Sequence, residues 1–219
     1  TKLDIEVLSQ TETGRVKQIR INEKIFNGSD IAYLLALKSS NFTITEENGE
    51  YYAVYSRKAI FNIGNDKTEE ENQYYNTEGT YSVATPTPEN IEGWEAVGWR
   101  SDDEADDKEY ELNSTSTDGN EEFSAVFKRT LTIKYDKNAD NATGSTEDTT
   151  GVQYHNAKGT RSEVSFTLRN SGFAREGYDF KKWLDGSTEY DAESTLKWNP
   201  EVTSSNIKTV KAKWDAKQY

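Results

Sequence analysis

Several residue types and segments are absent from this sequence, and each absence excludes a class of protein. The chain has no cysteine, so disulfide scaffolds and thiolate metal sites are excluded. No apolar run approaches the length of a membrane span, and we therefore expect no membrane span in this segment. No initiator methionine or signal peptide opens the chain. We therefore expect an excised or processed piece, with any export signal or wall anchor outside it.

Basic residues are scarce relative to acidic ones. The chain has 26 lysines and arginines against 39 acidic residues, and its net charge is −13. Such a surface repels phosphate backbones, so we expect no nucleic-acid partner. Apolar residues make up only 33% of the chain, but 12% of its residues are aromatic. Large aromatic side chains therefore fill most of the core, which is typical of thin modules.

Short segments recur along the chain in a constant order. The matched pairs are EGWEAVGW with EGYDFKKW (92–99 and 176–183), AVYSRK with AVFKRT (53–58 and 125–130), QYYNTEG with QYHNAKG (73–79 and 153–159), and KEYELNS with TEYDAES (108–114 and 188–194). The separation between the two members is similar for all the pairs but not identical. A constant order with a changing separation indicates one module that was copied and whose loops changed length.

Alternation within and beside the matched segments predicts strands with one buried face. The residues predicted to point inward are Tyr51, Ala53 and Tyr55, then Phe123, Ala125 and Phe127, then Val210, Ala212 and Trp214. A following strand repeats the pattern with Ala59, Phe61 and Ile63, and again with Leu131, Ile133 and Tyr135. Period-2 alternation at matched sites favours half-buried strands, and the predicted fold class is mainly β.

The organisation predicted from these patterns has three parts. Residues 1–58 form a small α+β unit with one helix near 29–38, residues 59–129 form a first repeat module, and residues 130–219 form a second. In the helix, Ser29 is the expected cap, and Ile31, Leu34 and Leu35 share one face.

The recurring aromatics allow two interpretations. Their faces suit pyranose rings, so they could form a sugar-stacking platform. Their recurrence at matched strand positions favours a structural core instead. The predicted core residues are Trp94, Trp99, Tyr178, Phe180, Trp183 and Trp214. Trp198 lies outside the repeat pattern, and it is therefore the candidate for surface contact with a ligand.

Two acidic segments could bind calcium. Asp136, Asn138, Asp140 and Glu147 occupy positions 1, 3, 5 and 12 of an EF-hand-type loop, but position 6 is not glycine and no helix is predicted beside it. The run SDDEADDKE (101–109) could chelate Ca²⁺ or attract a basic partner, although such runs are normally solvated turns. We expect no obligatory cofactor.

Catalytic chemistry has little support in the sequence. His155 is the only histidine, and its matched residue in the other copy is Tyr75, which favours a packing role over that of a general base. Without a second histidine or any cysteine, no nucleophile–base arrangement is indicated. The sequence therefore predicts a protein that is not an enzyme.

The last module carries a resemblance to a known family. EGYDFKKW, LDGSTEYD and VKAKWD resemble the Listeria–Bacteroides repeat, the B-repeat type of internalin-like surface proteins. That pattern includes Gly177, Phe180, Trp183, the Tyr190–Asp191 pair and a closing strand that ends in Ala-Lys-Trp (212–214). The middle module departs from it, because Ala96 replaces the phenylalanine and Ala-Val-Phe (125–127) closes the strand.

This resemblance implies a fold and a function. It implies β-grasp-like modules in an elongated tandem array, which serve as stalks, spacers or adhesive surfaces of extracellular bacterial proteins. Similar arrays occur in phage tail and head appendages. A second resemblance covers Gly14–Ile44, where GRVKQIRI and LLALKSSNFTI are similar to the end of the stage II sporulation protein D domain. The region that holds the catalytic acid of that peptidoglycan-cleaving family is not in this sequence.

The preferred prediction is a monomeric, non-enzymatic fragment of a bacterial cell-surface or cell-wall protein, with a protein or glycan ligand. The first alternative is a phage or prophage appendage, which would place the chain on a virion. The second is an accessory region of a cell-wall-acting enzyme.

Overall fold

The computed structural model of the chain describes residues 4–37, 39–47, 50–75, 81–101, 109–111, 115–116 and 121–218. Within these residues the fold is mainly β, which confirms the predicted class, and the single helix has seven residues. None of the described helical structure is long and apolar enough to cross a bilayer.

The chain divides into two compact units. The first comprises Thr1–Glu89 and Gly98–Ala125, and the second comprises Asn90–Val97 and Val126–Tyr219. The division into 1–58, 59–129 and 130–219 remains a prediction from the repeat pattern.

The described helix and strands are numbered in chain order. The elements up to residue 101 are β1 (Ile5–Gln10), β2 (Val16–Ile21), β3 (Lys24–Asn27), α1 (Gly28–Leu34), β4 (Phe42–Glu47), β5 (Glu50–Gly64), β6 (Lys67–Tyr75), β7 (Tyr81–Ala84) and β8 (Glu95–Ser101). The remaining strands are β9 (Glu109–Glu111), β10 (Thr115–Ser116), β11 (Glu122–Asp136), β12 (Ala142–Gly144), β13 (Thr149–Asn156), β14 (Val164–Thr167), β15 (Phe173–Arg175), β16 (Tyr178–Asp185), β17 (Thr188–Tyr190), β18 (Thr195–Trp198) and β19 (Ile207–Ala216).

The first unit opens with a three-stranded antiparallel sheet in the order β1–β2–β3. Val16 and Ile19 of β2 pack with Ile31 of α1, and with Phe42 and Tyr55 from β4 and β5. This apolar cluster joins the helix to the two strands that follow it.

Helix α1 is shorter than predicted and buries a different face. It ends at Leu34, Leu35 is its C-cap, and Ala36 takes a positive φ of 51°. Leu37 donates its backbone N–H to Ala32, and Ala36 donates to Tyr33, which is the Schellman pattern of a helix end. Leu34 and Leu35 are therefore exposed, and the predicted apolar face was wrong in both residues.

The start of the helix also differs from the prediction. Its N-cap is Asn27, which makes no capping hydrogen bond through its side chain, so Ser29 does not cap it. Gly28 is the first helical residue and is buried against β2, where an added Cβ would lie 2.1 Å from the carbonyl oxygen of Val16. Asn27 and Gly28 thus form the junction between β3 and α1.

Two long strands, β5 and β11, carry the buried alternation. Each has 15 residues, and the ends of β5 correspond in the repeat to the ends of β11. The sequence predicted two successive strands in each region, but each region is one continuous strand. Ala59, Phe61, Leu131 and Ile133 are fully buried, as the alternation predicts. The strand continues because every second residue points inward on both sides of the expected break, and no turn residue occurs there.

Each long strand pairs with one antiparallel strand and with a later, parallel strand. Strand β5 pairs antiparallel with β6 and parallel with β11. Strand β11 pairs antiparallel with β13 and parallel with β19. The turn between β5 and β6 is Asn65–Asp66, both at positive φ, which is the backbone that a two-residue hairpin requires.

The core of the second unit lies between β11, β19 and the two-stranded sheet of β14 and β18. Its largest fully buried side chain is Trp183 of β16, which contacts Tyr135 at a ring-centroid distance of 4.7 Å and Phe180 at 4.8 Å. The indole Nε1 of Trp183 donates to the carbonyl oxygen of Arg169 at 2.8 Å. The Trp183 ring is therefore the largest apolar group of this core, and its N–H has a hydrogen-bond partner.

Trp183→Ala should lower the free energy of unfolding by about 3–5 kcal/mol, because it removes a fully buried indole and leaves a cavity. Urea unfolding followed by circular dichroism measures the change. The matched control is Lys181→Ala on the same strand, whose exposed side chain should contribute less than about 0.5 kcal/mol. An equal, small effect of both changes would contradict the core assignment.

Candidate functional site

Each long strand carries an inward-pointing arginine opposite a fully buried glutamine. In the first unit, Arg57 pairs with Gln73 across β5 and β6, and its Nε donates to the Gln73 side-chain oxygen at 2.6 Å. In the second unit, Arg129 and Gln153 occupy the corresponding register across β11 and β13, at 2.9 Å. Both glutamines are fully buried.

Arg129 makes an extensive set of contacts. Beyond Gln153, its terminal nitrogens donate to four backbone carbonyls, those of Pro200, Glu201, Val202 and Ser204, at 2.8–3.3 Å. All five N–H groups of the guanidinium are thereby satisfied. Burial lowers the pKa of Arg129 and nearby Arg161 lowers it further, but a guanidinium remains a cation at any physiological pH.

The ring of Trp94 covers this guanidinium. The central carbon of Arg129 lies 4.3 Å from the ring centroid, which is a cation–π contact. The Trp94 Nε1 donates to the carbonyl oxygen of Val202, an acceptor that Arg129 also uses. Gln153 donates through Nε2 to Asn199 at 2.9 Å. Together these groups hold the backbone from 199 to 204 against β11 and β13.

Arg57 has different outer partners. It forms an ion pair with Glu121, and its guanidinium lies 5.8 Å from the centroid of Tyr75. The inner arginine–glutamine pair is therefore the same in both units, whereas the outer partners depend on the local loops.

His155 lies beside the Arg129 cluster. Its ring centroid is 5.4 Å from that of Trp94 and 6.0 Å from that of Phe127, and its Nδ1–H donates to the Thr160 carbonyl oxygen at 3.3 Å. Desolvation lowers the pKa of His155, the Thr160 hydrogen bond opposes this, and Arg161 and Arg129 lower it further. The imidazole is therefore neutral at pH 7.

Each unit has a cleft beside its long strand and the antiparallel strand paired with it. The first cleft, of about 540 Å³, is formed by Ser56 and Lys58 of β5, Asn72 of β6, Asn41 and the turn 10–14. The second cleft, of about 520 Å³, is formed by Lys128 and Thr130 of β11, Val152 and Tyr154 of β13, and the segment 93–95. Ser56 and Lys128, Lys58 and Thr130, and Asn72 and Val152 are matched positions of the two copies.

The wall of the first cleft depends on a glycine. Gly14 ends the turn after β1 at φ 80°, and an added Cβ would lie 2.8 Å from Asn41 Oδ1. Asn41 is held in turn by β5, because its Nδ2 donates to the Ser56 carbonyl oxygen at 2.9 Å. The hydroxyl groups of Thr11 and Thr13 lie 3.0 Å apart on this turn.

An exposed tyrosine accompanies each cleft. Tyr154 lines the second cleft and is 44% exposed. Tyr74, its matched residue, is 38% exposed and lies directly opposite Ser56 at the border of the first cleft. Sequence reasoning missed both tyrosines. The available signal was one identical tyrosine in the QYY and QYH segments, next to the glutamine that points inward.

The structure places the predicted core residues in several environments. Trp99 and Trp183 are fully buried, Trp94 is nearly so, and Phe180 and Trp214 pack half-buried against the second core. Tyr178 is half-buried outside that core cluster, where Arg175 lies 3.8 Å above its ring.

Trp198, the predicted surface contact, is half-buried. It packs against the second core beside Phe166, at a ring-centroid distance of 6.3 Å. The Lys208 ammonium lies 5.4 Å from its ring centroid. This environment gives Trp198 a packing role, and a role in ligand binding remains a prediction.

The predicted calcium residues are engaged in other contacts. The Nδ2 of Asn138 donates to the Ala212 carbonyl oxygen at 3.0 Å, and its backbone N–H donates to Asp136 at 2.7 Å. Lys137 donates to carbonyl oxygens of Asp140 and Ala142 in the same loop, and Glu147 lies 3.8 Å from Arg169. In the described part of the chain, no three acidic or histidine side chains converge on a common point. The acidic run at 102–107 lies outside the described residues.

Comparisons with protein-family models, with curated proteins and with solved structures find no match to this chain.

Arg129→Lys should lower the free energy of unfolding by about 2–4 kcal/mol, because a lysine has three donors and leaves buried carbonyls without partners. Urea unfolding measures the change. The control is Arg15→Lys, an exposed arginine of the first unit, with an expected effect below about 0.5 kcal/mol. A loss no larger than that of the control would show that the five hydrogen bonds do not hold the loop.

His155 should make the protein less stable as the pH falls. Its pKa is lowered in the folded state, so the unfolded chain takes up the proton first, below the ordinary value of about 6.5. Stability should be fully present above that value and decrease towards about pH 5, still above the ordinary pKa values of carboxyl groups. His155→Tyr, which introduces the residue of the matched position, should remove this decrease. Thermal unfolding at both ends of this pH range tests it, and the same decrease in the variant would exclude His155 as its source.

Proposed function

We propose that this chain is a non-enzymatic extracellular fragment of a bacterial cell-surface protein, which acts as a spacer and as an adhesive surface. In this proposal it is built from tandem β-grasp-like modules of the Listeria–Bacteroides repeat type. The observation that carries the proposal is the geometric agreement between the two long strands and their partners.

The backbone pairing around the long strands supports a repeated module. Ile60 of β5 donates its N–H to the Glu121 carbonyl oxygen at 2.7 Å, just before the parallel pairing with β11 begins. Thr132, the residue of β11 that corresponds to Ile60, donates to the Asn206 carbonyl oxygen at 2.8 Å, just before the parallel pairing with β19. One parallel and one antiparallel neighbour on a central strand is an arrangement that a β-grasp-like module requires.

The short hairpins agree in the same way. Trp99 of β8 pairs with Tyr110 of β9, and Trp183 of β16 pairs with Tyr190 of β17. Both tryptophans are fully buried. Residues that the sequence matched, EGWEAVGW with EGYDFKKW and KEYELNS with TEYDAES, therefore meet each other across equivalent hairpins, which favours copies of one module.

The non-catalytic part of the proposal rests on the environment of His155. The ring is packed between Trp94 and Phe127, and its Nδ1–H is used by the Thr160 carbonyl oxygen. A general base must reach the proton that it abstracts, and this ring is instead part of the packing. The polar, open clefts beside the long strands suit reversible contact with a ligand.

The test of the proposed location is labelling of intact cells. Antibodies raised against the chain should bind unpermeabilised cells of the source organism, and brief protease treatment of those cells should remove the signal. A cytosolic enzyme of the same cells, labelled only after permeabilisation, is the control. Labelling that requires permeabilisation would contradict a surface role, and labelling of purified virions alone would favour the phage appendage.

A further inference from the structure

We propose that the two clefts bind neutral sugar residues with equatorial hydroxyl groups, as in a β-linked glucan, and that Tyr74 and Tyr154 form the stacking surfaces. This inference rests on the adhesive role proposed above and names the class of its ligand. It is carried by the geometry at two matched positions.

Small neighbours leave the ring of Tyr74 open. Within the sheet, Tyr74 lies between Ser56 of β5 and Ser82 of β7, each directly opposite it. A serine is too short to cover a phenol ring, which explains why the ring stays accessible on a strand with neighbours on both sides. The Tyr74 hydroxyl has no hydrogen-bond partner among the described residues.

Tyr154 repeats this arrangement on one side, where its neighbour is also a serine. It lies opposite Lys128. On its other side, the Ser162 backbone N–H donates to the Tyr154 carbonyl oxygen at 3.0 Å, and the Tyr154 backbone N–H donates to the Ser162 hydroxyl oxygen at 2.8 Å. Ser162 has the same spacing from Tyr154 along the chain as Ser82 has from Tyr74. Both copies therefore have an exposed tyrosine beside a serine at the matched position. Because the position is not buried, core packing does not explain the aromatic side chain.

Polar groups line the clefts beside the two tyrosines. The first cleft offers the hydroxyl groups of Thr11 and Thr13 and the amide of Asn72, and the second offers Thr130. Lys58 adds an ammonium group that has no ion-pair partner among the described residues. Both volumes fall within the range of about 300–1,000 Å³ that is usual for small-molecule sites.

The charges around the clefts disfavour an anionic ligand. Glu12 lines the first cleft, and β6 carries the consecutive acidic residues 69–71 beside Asn72. In the second cleft, Glu95 lies 3.4 Å from Lys128 and neutralises it. The cations at the clefts are Arg57 and Lys58 in the first and Arg129 in the second, and these carboxylates together with the net charge of −13 on the chain offset them, so the proposed ligand class is neutral.

The stacking surface also selects the sugar configuration. A pyranose whose hydroxyl groups are all equatorial presents C–H bonds on both faces, and such a face lies flat on an aromatic ring. An axial hydroxyl would point into the ring and hold the sugar away. Tyrosine provides this surface at little cost in conformational entropy, because its side chain has two rotatable bonds.

The probe for the experiment is cellotetraose, the β-1,4-linked glucose tetramer. Saturation-transfer difference NMR with the full chain should show transfer to the sugar C–H protons, and titration gives the affinity. The double variant Tyr74→Ala, Tyr154→Ala should bind about tenfold more weakly or not detectably, which is the loss expected for an aromatic contact. The double variant Tyr74→Trp, Tyr154→Trp should restore binding.

Two controls make the result specific. Tyr33→Ala removes a tyrosine of the first unit that is 87% exposed but lies on α1, outside the clefts, and binding should not change. Tetragalacturonate, a carboxylated oligosaccharide, should bind more weakly than cellotetraose.

Three results would overturn the inference: no transfer at about 10 mM cellotetraose, a concentration that detects millimolar affinity; unchanged binding by the double alanine variant; or tighter binding of the anionic probe. If any of these results occurs while surface labelling is retained, the proposed ligand class is excluded and the proposed surface role is not. Loss of surface labelling would instead contradict the proposed function, whatever the sugar experiment shows.

Discussion

A buried guanidinium constrains the second unit more than any other single group. Arg129 has five N–H donors, and a cation in the protein interior is costly unless all of them are paired. Gln153 accepts one, and backbone carbonyls from Pro200 to Ser204 accept the other four. The position of that loop, of Trp94 above it and of His155 beside it follows from this requirement.

The first unit uses the same inner pair with different outer contacts. Arg57 and Gln73 repeat the geometry of Arg129 and Gln153, but Arg57 forms an ion pair with Glu121 and lies near the ring of Tyr75. In the proposed repeat, the inner pair belongs to the module, and the outer contacts belong to loops of different length. Loops that vary around a fixed scaffold are where binding properties are expected to differ between copies.

Alternation of apolar and polar residues allowed the strands to be predicted. Contacts between residues far apart in the sequence could not be predicted. The buried positions of β5 and β11, such as Phe61 and Ile133, follow from period-2 patterning alone. The end of α1 could not be predicted in this way, because Ala36 takes a positive φ at a position where the sequence has no glycine. The Arg129 cluster was also missed, since its acceptors are backbone carbonyls far along the chain and carry no side-chain signature.

The parity of a residue on its strand decides whether a recurring aromatic side chain is structural. Trp99 and Trp183 recur and are fully buried, so their recurrence reflects packing. Tyr74 and Tyr154 recur next to the buried glutamines and point to the opposite face, where packing gives no reason to keep them. A repeated aromatic side chain on the outward face of a strand therefore favours binding, whereas the same residue one position along would favour the core.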